Sequence, residues 1–294
     1  MEDAFERFRA FQQKKSGYEG NLTPQQGKML KELKEKLANS KYKARVETQL
    51  DGDRFLLRFL RATMKDKSGE RIFDVNEAFS RLTKMYDWRK EYDIDSLEEL
   101  VEKNVKPEGF DRFREIYPSL DLINPETGEI MRIGHFGKFI STLDVNAYSD
   151  REWIRWFSYD TLLVMHYLRK QSEKFGREIS TFHSVPDVRG ISLMAVVQRM
   201  KFIQLMSSVT GMFFPELIQT NYFVNAPWIF CKIVSLSKQF LDKDTVSKFV
   251  MTKDIPLDLF LFIMPKDLIP KEYGGESDVK LAIPFFAKGT AWDD

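Results

Sequence analysis

Tyr222-Phe223-Val224-Asn225-Ala226-Pro227 is an aromatic and β-branched run that stops at a turn, and over 228–241 large apolar residues recur at helical spacing. Working outward, 248–252 predicts a further strand, 193–206 a long apolar helix and 180–185 a short strand. Strand and helix alternating in this way imply an α/β fold with a mixed, partly parallel sheet covered by helices. Upstream, 120–124 and 129–135 flank Pro125-Glu126-Thr127-Gly128, a hairpin-type turn. Trp153, Trp156, Phe157, Val164 and Tyr167 are helix-spaced.

The first half reads differently. Thr23-Pro24 supplies a cap and a first-turn proline to a helix through Leu37. Phe55, Leu56, Phe59 and Leu60 form one face of the next helix, with arginines on the other, and 65–70 is polar and reads as a loop. Asp74-Val75-Asn76-Glu77 opens a helix in the manner of a capping box, and 96–102 predicts a shorter one. The expected organisation is a helical N-terminal domain over 1–106, with 1–20 as an arm, then an α/β domain over 107–276 and a tail over 277–294. Pro107-Glu108-Gly109 is the expected linker.

Composition narrows the function. Forty-five Lys and Arg against 44 Asp and Glu leave a net charge of +1, which supplies no basic excess for nucleic acid. One cysteine, Cys231, makes no internal disulfide or multi-cysteine zinc site, and suits a reducing, cytoplasmic setting. No apolar run is long enough to span a bilayer. Phosphate-cradling glycine motifs, a His-Glu-x-x-His motif and a Gly-x-Ser-x-Gly elbow are all missing from the sequence. His135, His166 and His183 are scattered. The chain is therefore read as a binding protein rather than an enzyme, with no catalytic set and no metal set. The apolar helix over 228–241 has two readings, a helix packed on the sheet or a lid whose face meets lipid.

Several ordered motifs carry a resemblance. Leu57-Arg58-Phe59-Leu60-Arg61-Ala62, Phe73-Asp74-Val75 and Trp88-Arg89-Lys90 resemble the N-terminal helical unit of the CRAL-TRIO family. Pro186-Asp187-Val188-Arg189-Gly190 resembles its Asp-x-x-Gly strand end, and Asn225-Ala226-Pro227 its Asn-Ala-Pro turn. The run from Phe240 to Lys248, ending Thr245-Val246-Ser247-Lys248, is similar to fungal secretory phosphatidylinositol/phosphatidylcholine transfer proteins. Leu268-Ile269-Pro270-Lys271-Glu272-Tyr273-Gly274-Gly275 resembles the family's closing motif.

The resemblance implies a hydrophobic pocket floored by the sheet, which holds a phospholipid as ligand and needs no cofactor. It implies a gate helix carrying Trp228, Ile229, Phe230, Ile233, Val234 and Phe240, and a pocket wall drawing on Met200, Ile203, Met206, Phe213 and Phe223. For the headgroup it implies Thr245, Lys248, Glu216, Arg71 and Ser184. Phe182 stands where the transfer proteins carry a serine shared with phosphatidylcholine binding, and Ile72 replaces a lysine beside Arg71. Both departures bear against the phosphatidylcholine half of an exchange activity. The implied function is binding and transfer of phosphatidylinositol by a cytoplasmic monomer that meets membranes transiently, with lipid kinases as partners. The alternative ligand is a sterol, a tocopherol-like or a retinoid-like lipophile, and a lesser alternative is haem held by His183 or Cys231.

Overall fold

The computed structural model describes residues 16–48, 50–67, 70–228, 230–231, 234 and 248–281. Helix α1 (Pro24–Ala38) begins with a full capping box, in which Thr23 and Gln26 satisfy each other's backbone N–H groups. Helices α2 (Lys43–Glu47) and α3 (Gly52–Arg61) follow. Strands β1 (Lys65–Lys67) and β2 (Glu70–Ile72) form an antiparallel hairpin where the sequence reads as a loop. This pairing puts Arg71 opposite Asp66. Its residues are charged rather than alternating, so no periodicity announces it.

Helices α4 (Val75–Glu91) and α5 (Ile94–Glu102) complete the N-terminal part. Leu33, Leu37, Phe59, Leu60, Ala78 and Leu82 are its fully buried centre. Trp88, Ile94, Leu97 and Val101 belong instead to the large core of the second half. The segment after α5 is pinned to the same core. Tyr159 Oη donates to the Val105 carbonyl at 2.9 Å, and Trp156 Nε1 donates to the Glu108 carbonyl at 3.0 Å. A short helix α6 (Phe110–Ile116) follows at once.

Strands β3 (Ser119–Ile123) and β4 (Ile130–Gly134) form the expected hairpin. Parallel strands β5 (Phe182–Pro186), β6 (Ile218–Phe223) and β7 (Phe249–Met251) extend it to a five-stranded mixed sheet in the order β3-β4-β5-β6-β7. Helix α7 (Phe136–Thr142) and the long α8 (Asp150–Phe175) lie between β4 and β5. Helix α8 has a Ser149/Glu152 capping box and a left-handed Gly176 at its end. The single apolar helix expected over 193–206 is two helices, α9 (Leu193–Gln198) and α10 (Met200–Ser208), followed by a π-turn over Val209–Phe213. The break falls at Arg199, whose Nε donates to the Leu143 carbonyl at 2.8 Å. Helix α11 (Leu257–Phe260) packs behind the sheet.

The two sheet faces differ in chemistry. One carries Met131, Ile133, Val185, Tyr222 and Val224 against Leu259, Phe260, Ile263 and Met264, and this side is closed. His183 belongs to it, fully buried, with its ring stacked on Tyr222 at 6.2 Å between centroids. Burial pushes its pKa from 6.5 down to about 3. Between those values the unfolded chain binds a proton that the folded chain does not, so stability falls as pH drops below 6.5. Acidifying from about pH 7 to about pH 5 should cost about 2 kcal/mol through this residue. Urea unfolding across that range should show the slope in wild type and a flatter one in His183→Leu. Equal slopes would remove His183 from the account.

Candidate functional site

On the opposite face, the register aligns Arg132, Ser184, Asn221 and Phe249 across four strands, and Phe223 with Met251. Ser184, Asn221 and Phe223 are half-buried although β5 and β6 are interior strands of the sheet, and Phe249 and Met251 on the edge strand β7 are half-buried beside them. Interior strands are normally covered on both faces, so this face is a floor. Phe230 and Val234 pack over it with Val188 and Ala226, and Phe223 meets the Phe230 and Phe249 rings at 5.5 and 5.2 Å.

The helix expected over 228–241 therefore begins against the floor. Trp228, at its start, is 68 % exposed. Ile229, Ile233, Phe240 and Thr245 lie outside the described residues. Of the expected wall residues, Met206 is buried in the core, Ile203 packs against it, and Phe213 is stacked on Trp88 at 4.0 Å. Phe223 is on the floor itself, and Met200 is exposed.

Glu216 and Lys248, 32 positions apart, come together at the edge of this floor. Lys248 Nζ donates to Glu216 Oε1 at 3.1 Å, with both side chains about one-fifth exposed. The Asn221 N–H donates to the Lys248 carbonyl at 2.8 Å, which holds the lysine at the entry to β7. Glu216 adopts a left-handed φ of 57° just before β6, and its carbonyl accepts from Arg58 Nη1 at 3.2 Å. Glu216 is thus held by its backbone at Arg58 and by its carboxylate at Lys248. An acid and an amine paired at a partly buried rim offer an acceptor for hydroxyls and a cation for a phosphodiester.

Ser184 shares the floor, one strand from Asn221. Phe182 is 8 % exposed and part of the core, with Arg132 5.9 Å from its ring centroid. Arg71 is placed only by its backbone, in the β1–β2 hairpin. Cys231 packs with the floor cluster while His183 sits on the other face.

Three motifs far apart in sequence converge on one carboxylate. Asp187 Oδ1 accepts from Asn225 Nδ2 at 3.0 Å and from the Arg189 N–H at 2.9 Å. Its Oδ2 accepts from the buried Tyr273 hydroxyl at 3.0 Å. Burial, then the Asp187 charge, raises the Tyr273 pKa, so the phenol stays a donor. Asn225 takes a left-handed φ of 54°, and its amide ties the chain to Asp187 just before the helical residues Trp228, Phe230 and Cys231. His135, Asp187 and Glu272 bring potential metal-ligand atoms within 4.8 Å of one another. Arg189 bridges Asp187 and Glu272 there at 3.3 and 3.1 Å, so a guanidinium already stands where a cation would sit.

Two further residues escape the sequence reading. Arg58 and Arg61 do not face solvent opposite the apolar side of α3; each is only 5 % exposed, turned in with the core. Among the described residues, no helix is long and apolar enough to cross a membrane.

Residues 131–275 match the CRAL/TRIO domain, and the chain carries that domain over this span. A SEC14 cytosolic factor of Kluyveromyces lactis is 29% identical across 91% of this chain and 83% of its own length. Another, of Yarrowia lipolytica, is 29% identical over 95% of this chain and 53% of its own. Patellin-6 of Arabidopsis thaliana is 31% identical over 87% of this chain and 60% of its own. The crystal structure of Sfh5 aligns with a TM-score of 0.56 at 16% identity, covering 87% of this chain and 88% of that one, a likeness of fold.

Proposed function

We propose that this chain, built around a CRAL-TRIO domain, takes up phosphatidylinositol and carries it between membranes. The domain match and the SEC14-type relatives support the coarser reading of a lipid-binding and transfer protein. The observation that carries the finer one is the Lys248–Glu216 pair at the rim of the half-buried floor. The acyl chains lie over Phe223, Phe249 and Met251, the phosphodiester meets Lys248, and the inositol hydroxyls meet Glu216.

Energetics sets the form of the process. A two-chain phospholipid has about thirty methylenes, and at about 0.8 kcal/mol each their exposure to water costs more than about 20 kcal/mol. Lipid therefore passes directly between bilayer and pocket, and the 228–241 helix opens only on a membrane surface. Trp228, with Met194 and Val197 at 65 and 61 % exposure, offers the apolar contact. The protein works from the cytoplasm as a monomer and presents its lipid to kinases that act on the inositol ring.

The test is transfer of labelled phosphatidylinositol and phosphatidylcholine between vesicles. Wild type should move phosphatidylinositol. Thr245→Ala/Lys248→Ala should lose about ten- to a hundredfold of that rate, the worth of charge-assisted hydrogen bonds, with unchanged thermal stability. A wild type that moves neither lipid defeats the reading. Phe182 favours a second reading. Its buried ring removes a hydroxyl donor and suits a sterol, a tocopherol-like or a retinoid-like ligand, which mass spectrometry of the extracted protein would identify.

A further inference from the structure

Arg58 and Arg61 lie one turn apart on α3, both 5 % exposed. A guanidinium has five N–H donors. Arg58 Nη1 donates to the Glu216 carbonyl at 3.2 Å, while its Nε is buried without a partner. Arg61 Nη1 donates to the Gly17 carbonyl at 3.0 Å, while its Nε and Nη2, like the Arg58 Nε, are buried without partners among the described residues. Leaving buried charged donors unmade is costly. Burial first, and the neighbouring Arg61 charge second, lower the Arg58 pKa to about 10. Among the described residues, neither guanidinium forms an ion pair with a carboxylate. The carboxylates that act on Arg58 from further off are Asp51, Glu178 and Glu216, and Glu216 is already engaged by Lys248.

Among the described residues, one short segment covers Arg61. Residues 16–21 cross Arg61 as a strap, closed on itself by the Gly17 N–H donating to the Asn21 carbonyl at 3.0 Å. The strap offers Arg61 one neutral carbonyl and the Tyr18 ring, whose centroid is 4.1 Å from the guanidinium carbon. Further ties hold the strap down. Gln26 Nε2 donates to Ser16 Oγ at 3.2 Å, the Glu19 N–H donates to Glu178 Oε2 at 2.9 Å, and Glu19 pairs with Arg54. The Glu178 Oε1 atom is likewise buried without a partner among the described residues, and the Glu178 charge acts on Arg58 from further off.

We propose that Arg58 and Arg61 form a phosphate-monoester site beneath the 16–21 strap, with the Gly17 carbonyl and Tyr18 ring holding the place of the anion. A dianion matches the two guanidinium charges. Its oxygens accept from Arg61 Nε and Nη2 as a fork and from Arg58 Nε, and Glu178 Oε1 accepts from a hydroxyl on the same molecule. Because Arg58 also holds the Glu216 carbonyl, the site adjoins the headgroup rim. A polyol phosphate fits, either free or as the headgroup of a phosphorylated inositol lipid.

The experiment uses the full chain and two probes: D-myo-inositol 4-phosphate followed by calorimetry, and phosphatidylcholine vesicles doped with phosphatidylinositol 4-phosphate followed by sedimentation. Wild type should bind at least one probe saturably. Arg61→Gln should weaken that binding by about tenfold or more through loss of the fork, and Arg61→Lys should not restore it. Tyr18→Ala, at the periphery and harmless to the core, should strengthen binding by about threefold or more through loss of the competing ring contact. Binding of the soluble probe alone assigns a free polyol phosphate, and binding of the vesicle alone assigns a lipid headgroup; either supports the site. No binding by wild type or Tyr18→Ala, or binding indifferent to Arg61→Gln, overturns it. Transfer of unphosphorylated phosphatidylinositol is not read in this test, so its failure and that of the transfer function remain distinct.

Discussion

Arg132→Met should lower the free energy of unfolding by about 3–5 kcal/mol, the cost of stranding buried carboxylates. Arg132 Nε and Nη2 donate to the two oxygens of Asp121 at 2.6 and 2.7 Å, and Nη1 reaches Asp160 on α8. Arg114 Nη1 donates to Asp160 from the other side at 3.1 Å and also binds Ser119. Burial alone would lower the Arg132 pKa; Asp121 and Asp160 overturn that and raise it, so the cation is firmly held. Without it, Asp121 loses its bidentate partner while buried between β3 and β4. Adding Asp121→Leu to Arg132→Met should recover part of the loss, because Asp160 keeps Arg114. Urea midpoints for the two single variants and the double variant measure this. A single-variant cost below about 1 kcal/mol would mean that the network is no more than a surface pair in its energetics.

That network shows what the sequence could and could not disclose. Strands β3, β4 and β5 were readable because aromatic and β-branched runs stop at Pro125 and Pro186 and the β3–β4 turn announces itself, whereas β6 begins at Ile218, four residues before the run that ends at Pro227, and stops at Phe223. Asp121, Arg132 and Asp160 carry no such signal, since their pairing depends on the antiparallel register and on how α8 crosses the sheet. The same limit explains Arg58 and Arg61. A helical wheel sorts them to a polar face, but that face is buried, with Arg58 reaching Glu216 and Arg61 reaching Gly17. Helices α6 and α7 are too short for their periodicity to stand out, and the split at Arg199 is a tertiary effect. Glu216 and Lys248 were singled out by resemblance alone. Their contact arises because parallel pairing of β6 with β7 brings residue 248 beside the start of β6. Asp187, Asn225 and Tyr273 each sat in a visible motif, yet nothing in the motifs says that they meet.

The meeting point makes Gly137→Ala the second large effect. The Gly137 N–H donates to the Asp187 carbonyl at 2.8 Å, so α7 starts in contact with the loop after β5. A Cβ at Gly137 would stand 2.4 Å from the Arg189 carbonyl oxygen and 2.6 Å from the Val188 carbonyl carbon. Both obstacles are backbone, so no side-chain rotation relieves them, and either α7 or the loop must move. Overpacking of this kind costs about 3 kcal/mol. The loop is not free to yield, because Asp187 is fastened to Asn225 and Tyr273 and the Val188 side chain is fully buried against Ala226 and Phe230. Movement there shifts Phe230 and Val234 over the floor. Gly137→Ala should therefore lower the thermal midpoint and slow lipid transfer together. Gly190→Ala, in the same loop, is the contrast: a Cβ there meets nothing within 4 Å, and only its left-handed φ of 71° is penalised. It should cost about 1 kcal/mol, with transfer retained. Equal losses for the two variants would show that the loop tolerates displacement and that the Asp187 junction does not govern transfer.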